Sequence, residues 1–389
     1  MPLHGRGART RSAATGVTVY LDWNATAPPL DDALAAMHEA GRAGWGNASS
    51  VHSVGRRAHA YIEDAREAIA QLCERSPRDV FLTSGGTEAN NLAIRSLAQG
   101  AALIVASRIE HPSVVRVVEA IGTEGIPVCW LDPDPEGCVR VEAIERALAT
   151  CSEPARAVVC LQAANHETGV LQPVKEAIEL VQRSGARIHV DAVQAFGKVA
   201  ASVWREADTV SVAAHKIRGP KGIGALVAGP CAGLRPLLLG GGQEYGIRPG
   251  TGSAALAAGF RIAAEWAIRA NCDYDALRPL RDRLEKCLLA LGGVVNGGQK
   301  RLPHVTNVSF LDLRGDEIVA GLDIEGVCVS SGSACSSGAA EMSPVIAAMV
   351  GEERARGAVR ASLGDTTSEA DIELAMGAWG RVIGRARNG

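Results

Sequence analysis

The chain has 389 residues, of which 47% are hydrophobic and 21% charged, and its formal net charge is −3. This length and composition predict a globular protein of two or three domains. The small net charge gives no electrostatic footprint for nucleic acid or an anionic membrane, and no apolar run approaches the roughly 20 residues of a membrane-spanning helix. We therefore expect neither nucleic acid nor a membrane as a partner.

The ten cysteines include no C-x-x-C pair, and most of them have apolar neighbours. This pattern indicates buried, reduced thiols and a cytoplasmic location. Residues 1–16 are rich in arginine and contain neither an acidic residue nor an apolar segment. They do not resemble a secretory signal, and we expect a flexible tail.

After an early strand near residues 17–23, short β-rich runs alternate with longer helical patterns. This alternation predicts βαβ units, and hence an α/β fold with a mainly parallel sheet covered by helices. The predicted strands are DVFLT, ALIVAS, RAVVCLQ, ARIHV and ADTVSVAA.

Each of these five strands is followed by polar, titratable or glycine-rich residues. The following segments are SGGTEAN, RIEHPS, AANHETG, DAVQ and HKIRGPKG. One such segment is ordinary for a loop, but ligands bind at the carboxyl ends of parallel strands. Together the five segments predict one binding crevice in a large domain over residues 28–254.

Amphipathic helices and short strands follow from about residue 255, and a helix is predicted close to the end of the chain. This change predicts a smaller α+β domain formed by residues 255–389 together with residues 17–27.

The segment SGGTEAN predicts an anion site, because backbone N–H groups and a helix dipole meet at a strand-to-helix junction. It matches neither a Walker A motif nor G-x-G-x-x-G. Lys216, one of only six lysines against 34 arginines, follows a predicted strand. A lysine amine beside a phosphate site suggests pyridoxal phosphate, with Asp191 on the pyridinium nitrogen. In the same crevice His111 could stack on the ring and shuttle protons as a catalytic residue, and Gln194 could bond the phenolic oxygen of the ring.

Seven ordered motifs resemble the cysteine desulfurases of the NifS/IscS-like group. They are SGGTEANN, EHPSV, HVDAVQAFGK, AHKIRGPKGIGALV, GGGQEYGIRPGT, SSGSACSSG and VRASLG. The resemblance covers residues 19–375 and implies a class V aminotransferase of pyridoxal phosphate fold type I, working as a homodimer.

The resemblance also implies a role for each matching residue. Lys216 would form the Schiff base, and Arg360 would bind the carboxylate of L-cysteine, a task suited to a bidentate guanidinium. Cys335 would take the substrate sulfur as a persulfide, leaving L-alanine. The implied phosphate ligands are Gly86, Thr87 and His215, joined by Thr251 of the partner subunit.

The sulfur held by Cys335 would pass to an iron–sulfur scaffold or another acceptor protein. We expect no intrinsic metal site, although Cys335 could share an iron–sulfur ligand position with a scaffold. Cys328, in the apolar segment GVCVS, is predicted to be structural.

Four positions depart from the family pattern. Ala213 replaces a serine that helps to bind the phosphate, and His166 replaces an asparagine that contacts the cofactor or the substrate. We expect His166 to titrate near neutrality and to make activity sensitive to pH. Tyr245 replaces a common arginine, and Ala48 a common proline.

Two other readings stay open at this point. One is another class V enzyme with the same cofactor residues, a selenocysteine lyase or an aminotransferase. The other is a non-catalytic sulfur carrier or assembly scaffold with the same fold.

Overall fold

A computed structural model describes residues 11–12, 16–269, 274–332 and 342–388. The described strands are β1 (Arg11–Ser12), β2 (Gly16–Val17), β3 (Val19–Tyr20), β4 (Val80–Thr83), β5 (Leu103–Ser107), β6 (Val128–Leu131), β7 (Ala157–Gln162), β8 (Arg187–Asp191), β9 (Thr209–Ala213), β10 (Gly224–Ala228), β11 (Val294–Val295), β12 (Val305–Ser309), β13 (Val327–Cys328) and β14 (Ala358–Ser362). The described α-helices are α1 (Asp31–Ala43), α2 (Ser53–Leu72), α3 (Gly86–Leu97), α4 (Pro112–Thr123), α5 (Val141–Ala149), α6 (Val174–Ser184), α7 (Ala254–Arg269), α8 (Arg278–Ala290), α9 (Gly315–Ile324), α10 (Pro344–Val350), α11 (Glu352–Arg356) and α12 (Glu369–Asn388).

A seven-stranded sheet forms the centre of the larger part of the chain, in the order β4-β10-β9-β8-β7-β5-β6. Neighbouring strands from β9 to β6 are parallel, whereas β10 is antiparallel to both β4 and β9. Every residue of β7 is buried, as expected for a central strand that has helices on both faces. The five predicted strands and the mainly parallel sheet are thus confirmed. Strand β10, which lies antiparallel between β4 and β9, was not predicted.

The helices bury their apolar sides against this sheet and each other. In α6, buried residues recur at helical spacing, and the helix ends at Gly185, whose φ of 72° is the left-handed conformation that glycine adopts most easily. The parallel register pairs Gln162 with Asp191 and Asp191 with Ser211, so the carboxyl ends of β7, β8 and β9 lie side by side.

The smaller part of the chain has its own apolar core, built from residues such as Leu284, Phe310 and Trp379. Its three-stranded sheet has the order β11-β12-β14, and β13 pairs in parallel with the early strand β3. Helix α7, in contrast, packs on α1 and α2, and its Phe260 belongs to the larger core. This packing favours a domain boundary after Arg269 rather than at residue 255, and the division into domains stays a prediction.

The segment after β3 connects the two parts. Asp22 bridges to Ser362 of β14, and the backbone of Ala27 then bonds to His215 beyond β9. Over the described residues, no helix combines the length and apolar character needed to cross a membrane.

Candidate active site

The side chains of Gln194 and Lys216 meet at one backbone carbonyl group. Gln194 Nε2 donates to the Asn24 carbonyl oxygen at 2.9 Å, and Lys216 Nζ lies 2.5 Å from the same oxygen. Lys216 Nζ also donates to the Ala25 carbonyl oxygen at 3.0 Å. The segment after β3 therefore holds the amine at the carboxyl ends of β8 and β9.

Asp191, the last residue of β8, presents a buried carboxylate to this crevice and is 7% exposed. Its Oδ2 atom accepts a bond from Asn90 Nδ2 at 2.9 Å, and its Oδ1 atom accepts from the backbone N–H of Val193 at 2.9 Å. A carboxylate in two such bonds keeps a fixed orientation, as a partner of a ring nitrogen requires.

The glycine-rich junction between β4 and α3 borders a cavity of about 420 Å³. Gly85 has a φ of 154°, and Gly224 of β10 lies so close that a Cβ atom there would stand 2.7 Å from Gly85 Cα. A side chain at Gly224 would therefore disturb this approach. The lining includes Thr26, Gly85, Gly86, Thr87, His215 and Lys221. The start of α3 also provides free backbone N–H groups, so the cavity suits a phosphate.

His215 contributes a ring nitrogen to this cavity. Its Nδ1 atom lies 3.2 Å from Thr26 Oγ1. Burial, together with the nearby amines of Lys216, Lys198 and Lys221, lowers the pKa of His215 to about 3. The ring is therefore neutral at physiological pH.

His111 and His166 lie next to each other, with ring centroids 5.2 Å apart. Burial lowers the pKa of His111, and the amine of Lys216 acts in the same direction. Burial, followed by His111, Arg360 and Lys216, holds the pKa of His166 well below its usual value. The expectation that His166 titrates near neutrality is therefore wrong, because a buried imidazole beside cationic groups resists protonation.

Arg360, on β14, reaches the same place from the smaller part of the chain and is 3% exposed. Its Nη1 atom donates to the His166 carbonyl oxygen at 2.9 Å, and its Nη2 atom donates to Asp22 Oδ1 at 2.5 Å. Its Nε atom is buried and has no hydrogen-bond partner among the described residues. The guanidinium is thus held in place while retaining an unused donor.

Thr251 lies in a second cavity, of about 520 Å³, which shares Ser84, Gly222 and Ile223 with the first. Ala48 and Tyr245 also line it, and the Tyr245 side chain is 61% exposed. Thr251 thus borders the neighbouring cavity rather than the one lined by Gly86 and Thr87.

Cys335 lies outside the described residues. Gly332 and Ser343, which stand on either side of the undescribed residues 333–341, both lie against Glu167. Cys328 is half-buried on β13, and burial raises the pKa of its thiol. This burial agrees with a structural role for Cys328.

Sequence reasoning assigned no role to three residues that organise this site: Asn24, Asn90 and Glu167. The segment DWNATAP, which contains Asn24, follows the early strand and has the polar character of the other strand ends. That signal could have identified it. Asn90 and Glu167 stand in quoted motifs, but their buried contacts involve residues far apart in sequence.

The residues present fit pyridoxal phosphate. A glycine-lined cavity at a helix start suits the phosphate, Lys216 supplies an amine, and Asp191 supplies a fixed carboxylate. Gln194 Oε1 is buried without a hydrogen-bond partner among the described residues, as expected where a polar ligand completes the contacts. The fold and site define a pyridoxal phosphate enzyme of fold type I.

Comparisons with known proteins agree with this class. The family described as Aminotransferase class-V matches residues 19–374. A cysteine desulfurase of Cereibacter sphaeroides is 41% identical over 365 residues, which cover 91% of this chain and 93% of that protein. A solved structure named NifS-like protein has a TM-score of 0.88 and 31% identity, covering 95% of this chain and 100% of the other. Another, described as SspA in complex with cysteine, has a TM-score of 0.76 and 29% identity, covering 89% and 99%.

The chain therefore belongs to the class-V aminotransferase family, in its cysteine desulfurase group.

Proposed function

We propose that this protein is a cysteine desulfurase. It converts L-cysteine to L-alanine and retains the sulfur as a persulfide on Cys335. The observation that carries the proposal is the convergence of Lys216, Asp191 and Arg360 from three strands on one crevice. One of the similar structures is described as SspA in complex with cysteine, which supports cysteine as the substrate.

The residues that would hold pyridoxal phosphate divide by the group they contact. Gly86, Thr87 and His215 would bind its phosphate, and Gln194 its phenolic oxygen. Asp191 would pair with the ring nitrogen, and Lys216 Nζ would bind the aldehyde carbon. When bound, this cofactor supplies an electron sink for the α-carbon of an amino acid.

Lys216 is the group best placed to move the α-proton of the substrate. Two backbone carbonyl groups, of Asn24 and Ala25, hold its Nζ atom inside the crevice. Arg360 would orient the substrate by binding its carboxylate through two N–H groups, since the guanidinium is planar and already buried. His166 would line the site as a neutral ring beside Arg360.

The sulfur step uses the Cys335 thiolate as the nucleophile. A bond forms between the Cys335 sulfur and the substrate sulfur while the bond from that sulfur to the substrate β-carbon breaks. The thiol of Cys335 and the cysteine substrate together supply every atom of the persulfide and of alanine, so no external oxidant or reductant is needed.

The test is an assay of alanine and sulfide from L-cysteine in the presence of a thiol reductant. We expect Cys335→Ala to keep its bound cofactor. Its rate of sulfide release should fall at least about 100-fold, because no thiolate can attack the substrate sulfur. Lys216→Ala should lose the absorbance of the bound cofactor as well.

Cys328→Ala is the matched control and should keep both properties, since Cys328 lies on β13. Full sulfide release by the Cys335→Ala protein would refute the role of this thiol. Alanine formation without Cys335 would instead favour a lyase that releases the chalcogen directly.

We also propose that two copies of the chain form a dimer. Trp45 and Val51 are 75% and 89% exposed, and they flank the segment of Asn47 and Ala48 that lines the second cavity. Leu238 and Leu239 are 59% and 92% exposed and precede the glycines that lead to the same cavity. Apolar groups of this size at the surface support an interface, across which Thr251 would reach the partner's phosphate.

Sedimentation equilibrium tests this association. We expect wild type to be a dimer and Leu239→Asp to shift towards monomer with weaker cofactor binding. A wild type that stays monomeric at micromolar concentration would contradict the proposal.

The persulfide sulfur would then pass to an iron–sulfur scaffold or another acceptor protein in the cytoplasm. The eight cysteines in the described residues are all free, which supports a reducing compartment. Transfer of labelled sulfur from Cys335 to a candidate acceptor, lost in Cys335→Ala, is the measurement that tests this step.

A further inference from the structure

A row of buried polar side chains links β9, β8, α3 and α4 behind the crevice. Thr209 Oγ1 lies 2.9 Å from His189 Nδ1, and His189 Nε2 lies 2.9 Å from Asn90 Oδ1. Asn90 Nδ2 donates to Ser113 Oγ at 2.8 Å and to Asp191 Oδ2 at 2.9 Å. Ser113 Oγ in turn lies 2.8 Å from His111 Nδ1. Asn90 is therefore the branch point between Asp191 and His111.

The direction of these hydrogen bonds follows from the groups that can act only as a donor or only as an acceptor. A carboxylate accepts, so the amide nitrogen of Asn90 must face Asp191, and both of its hydrogens are used. The amide oxygen then faces His189 Nε2, which must carry a hydrogen. Burial lowers the pKa of His189 to about 4, so the ring is neutral and its Nδ1 atom accepts from the Thr209 hydroxyl.

The other end of the row fixes the proton of His111. The backbone N–H of Ser113 donates to His111 Nδ1 at 3.1 Å, which is possible only if Nδ1 is unprotonated. Because Ser113 Oγ accepts from Asn90, its own hydrogen is free to point at the same Nδ1 atom. Neutral His111 therefore carries its hydrogen on Nε2, and two donors oppose protonation of Nδ1.

We propose that Asn90 is a positioning residue that orients the Asp191 carboxylate and, through Ser113, keeps His111 a neutral donor from Nε2. In this arrangement two donors occupy Nδ1 of His111, so any proton that this ring gives or takes would pass through Nε2. The proposal rests on the proposed function only for the identity of the cofactor.

Other charged groups also act on His111 and must be kept constant in any test. Asp191 favours its protonation, Lys216 opposes it, and the His166 ring lies 5.2 Å away. A substitution at Ser113 leaves all three in place and removes one of the two donors to Nδ1. A substitution at Asn90 leaves both donors present but removes the bond that orients the Ser113 hydroxyl, and it also removes one hydrogen bond from Asp191.

Ser113→Ala and Asn90→Ala therefore separate the two branches. With selectively ¹⁵N-labelled histidine in the loaded enzyme, we expect wild-type His111 to show a hydrogen on Nε2. Ser113→Ala should raise the pKa of His111 by about one, which is the scale of one lost neutral hydrogen bond. Asn90→Ala should raise it in the same direction, because the Ser113 hydroxyl is then free to turn and accept a bond from a protonated Nδ1. Only Asn90→Ala should weaken pyridoxal phosphate binding, by about fivefold to tenfold in a fluorescence titration.

Asn91→Ala is the matched control on the same helix, because the Asn91 amide donates to the Thr87 carbonyl and takes no part in the row. It should leave the pKa of His111 and the cofactor affinity as in wild type. The thermal midpoint of each apo protein identifies a variant that fails to fold, in which case Asn90→Ser replaces Asn90→Ala.

If the row had a purely structural role, both variants would have a lower thermal midpoint, while the pKa of His111 and the affinity for pyridoxal phosphate would be unchanged. An unchanged His111 pKa in Ser113→Ala, or a wild-type hydrogen on Nδ1, would overturn the proposal. Neither the pKa of His111 nor the cofactor affinity requires turnover for its measurement, so failure of the desulfurase assay would not contradict the proposal about Asn90.

Discussion

The hydroxyl of Ser343 donates a hydrogen bond of 2.6 Å to Glu167 Oε2, deep inside the protein. Gly332 lies against the same carboxyl group, since a Cβ atom there would be 2.4 Å from Glu167 Oε2. One side chain thus lies against described residues on both sides of positions 333–341. Burial raises the pKa of Glu167 to about 7, although Ser343 and Arg360 oppose the rise.

This raised pKa predicts a pH-dependent stability. A folded-state pKa of about 7 against the ordinary 4.5 means that the folded protein binds this proton more tightly. The stabilising contribution is complete below about pH 4.5 and is lost as the pH rises through about 7. The side chain in Glu167→Gln cannot ionise. The thermal midpoint of this variant minus that of wild type should therefore increase as the pH rises from about 5 to about 8. Glu179→Gln, on the exposed side of α6, is the control, and parallel profiles of Glu167→Gln and wild type would contradict this assignment.

The lowered pKa of His166 predicts that this ring does not control the pH dependence of activity. A pKa well below the usual value keeps the ring neutral throughout the neutral range. The profiles of kcat/KM for wild type and His166→Asn should therefore have the same shape between about pH 6 and about pH 9. Loss of the acid limb in His166→Asn, or its displacement to lower pH, would show that His166 titrates there.

Substitution of Arg360 should affect substrate binding more than folding. Lysine keeps the charge but cannot bond Asp22, the His166 carbonyl and a carboxylate at once, as a guanidinium can. We expect Arg360→Lys to raise the KM for L-cysteine by about tenfold to a hundredfold, the scale of one charged hydrogen bond. Arg381→Lys, at an exposed pair with Glu325, should leave KM unchanged.

A side chain at Gly224 should separate β10 from the glycine-rich junction. An alanine Cβ would stand 2.6 Å from the Val212 carbonyl oxygen and 2.7 Å from Gly85 Cα. We expect Gly224→Ala to cost about 1–3 kcal/mol of stability and to weaken cofactor binding. Gly380→Ala, in α12 with no atom within 4 Å of the added Cβ, should be neutral or stabilising by about 0.5–1 kcal/mol. Calorimetry and cofactor titration measure both effects.

The buried Ala213 offers a place to add a phosphate ligand. It ends β9, and a Cβ atom built on Gly86 would be 3.9 Å from its methyl group. Ala213→Ser should tighten pyridoxal phosphate binding about fivefold, as one neutral hydrogen bond is worth about 1 kcal/mol. Ala228→Ser, buried at the far end of β10, tests whether any buried hydroxyl has this effect. Equal affinities of Ala213→Ser and wild type would exclude a phosphate contact from this position.

Local patterns were sufficient to predict the strands that supply Asp191 and Lys216, because a buried parallel strand is a short apolar run with a polar residue at its end. β10 was missed since GALVA contains glycine and alanine, which favour strands weakly, and it follows a glycine-rich loop. The branch point at Asn90 depends on side chains of β8 and α4, between 23 and 101 residues away. Contacts of that kind leave no periodic signal in the sequence.

The segment from Asp22 to Ala27 has a consequence for synthesis of the protein. It is translated well before its partners Ser362 and Arg360, since each of these contacts joins residues 338 positions apart. Until then, the carbonyl groups that hold Lys216 lack their attachment to β14. The larger sheet can form during translation, but the lysine crevice can be completed only after β14 has been made.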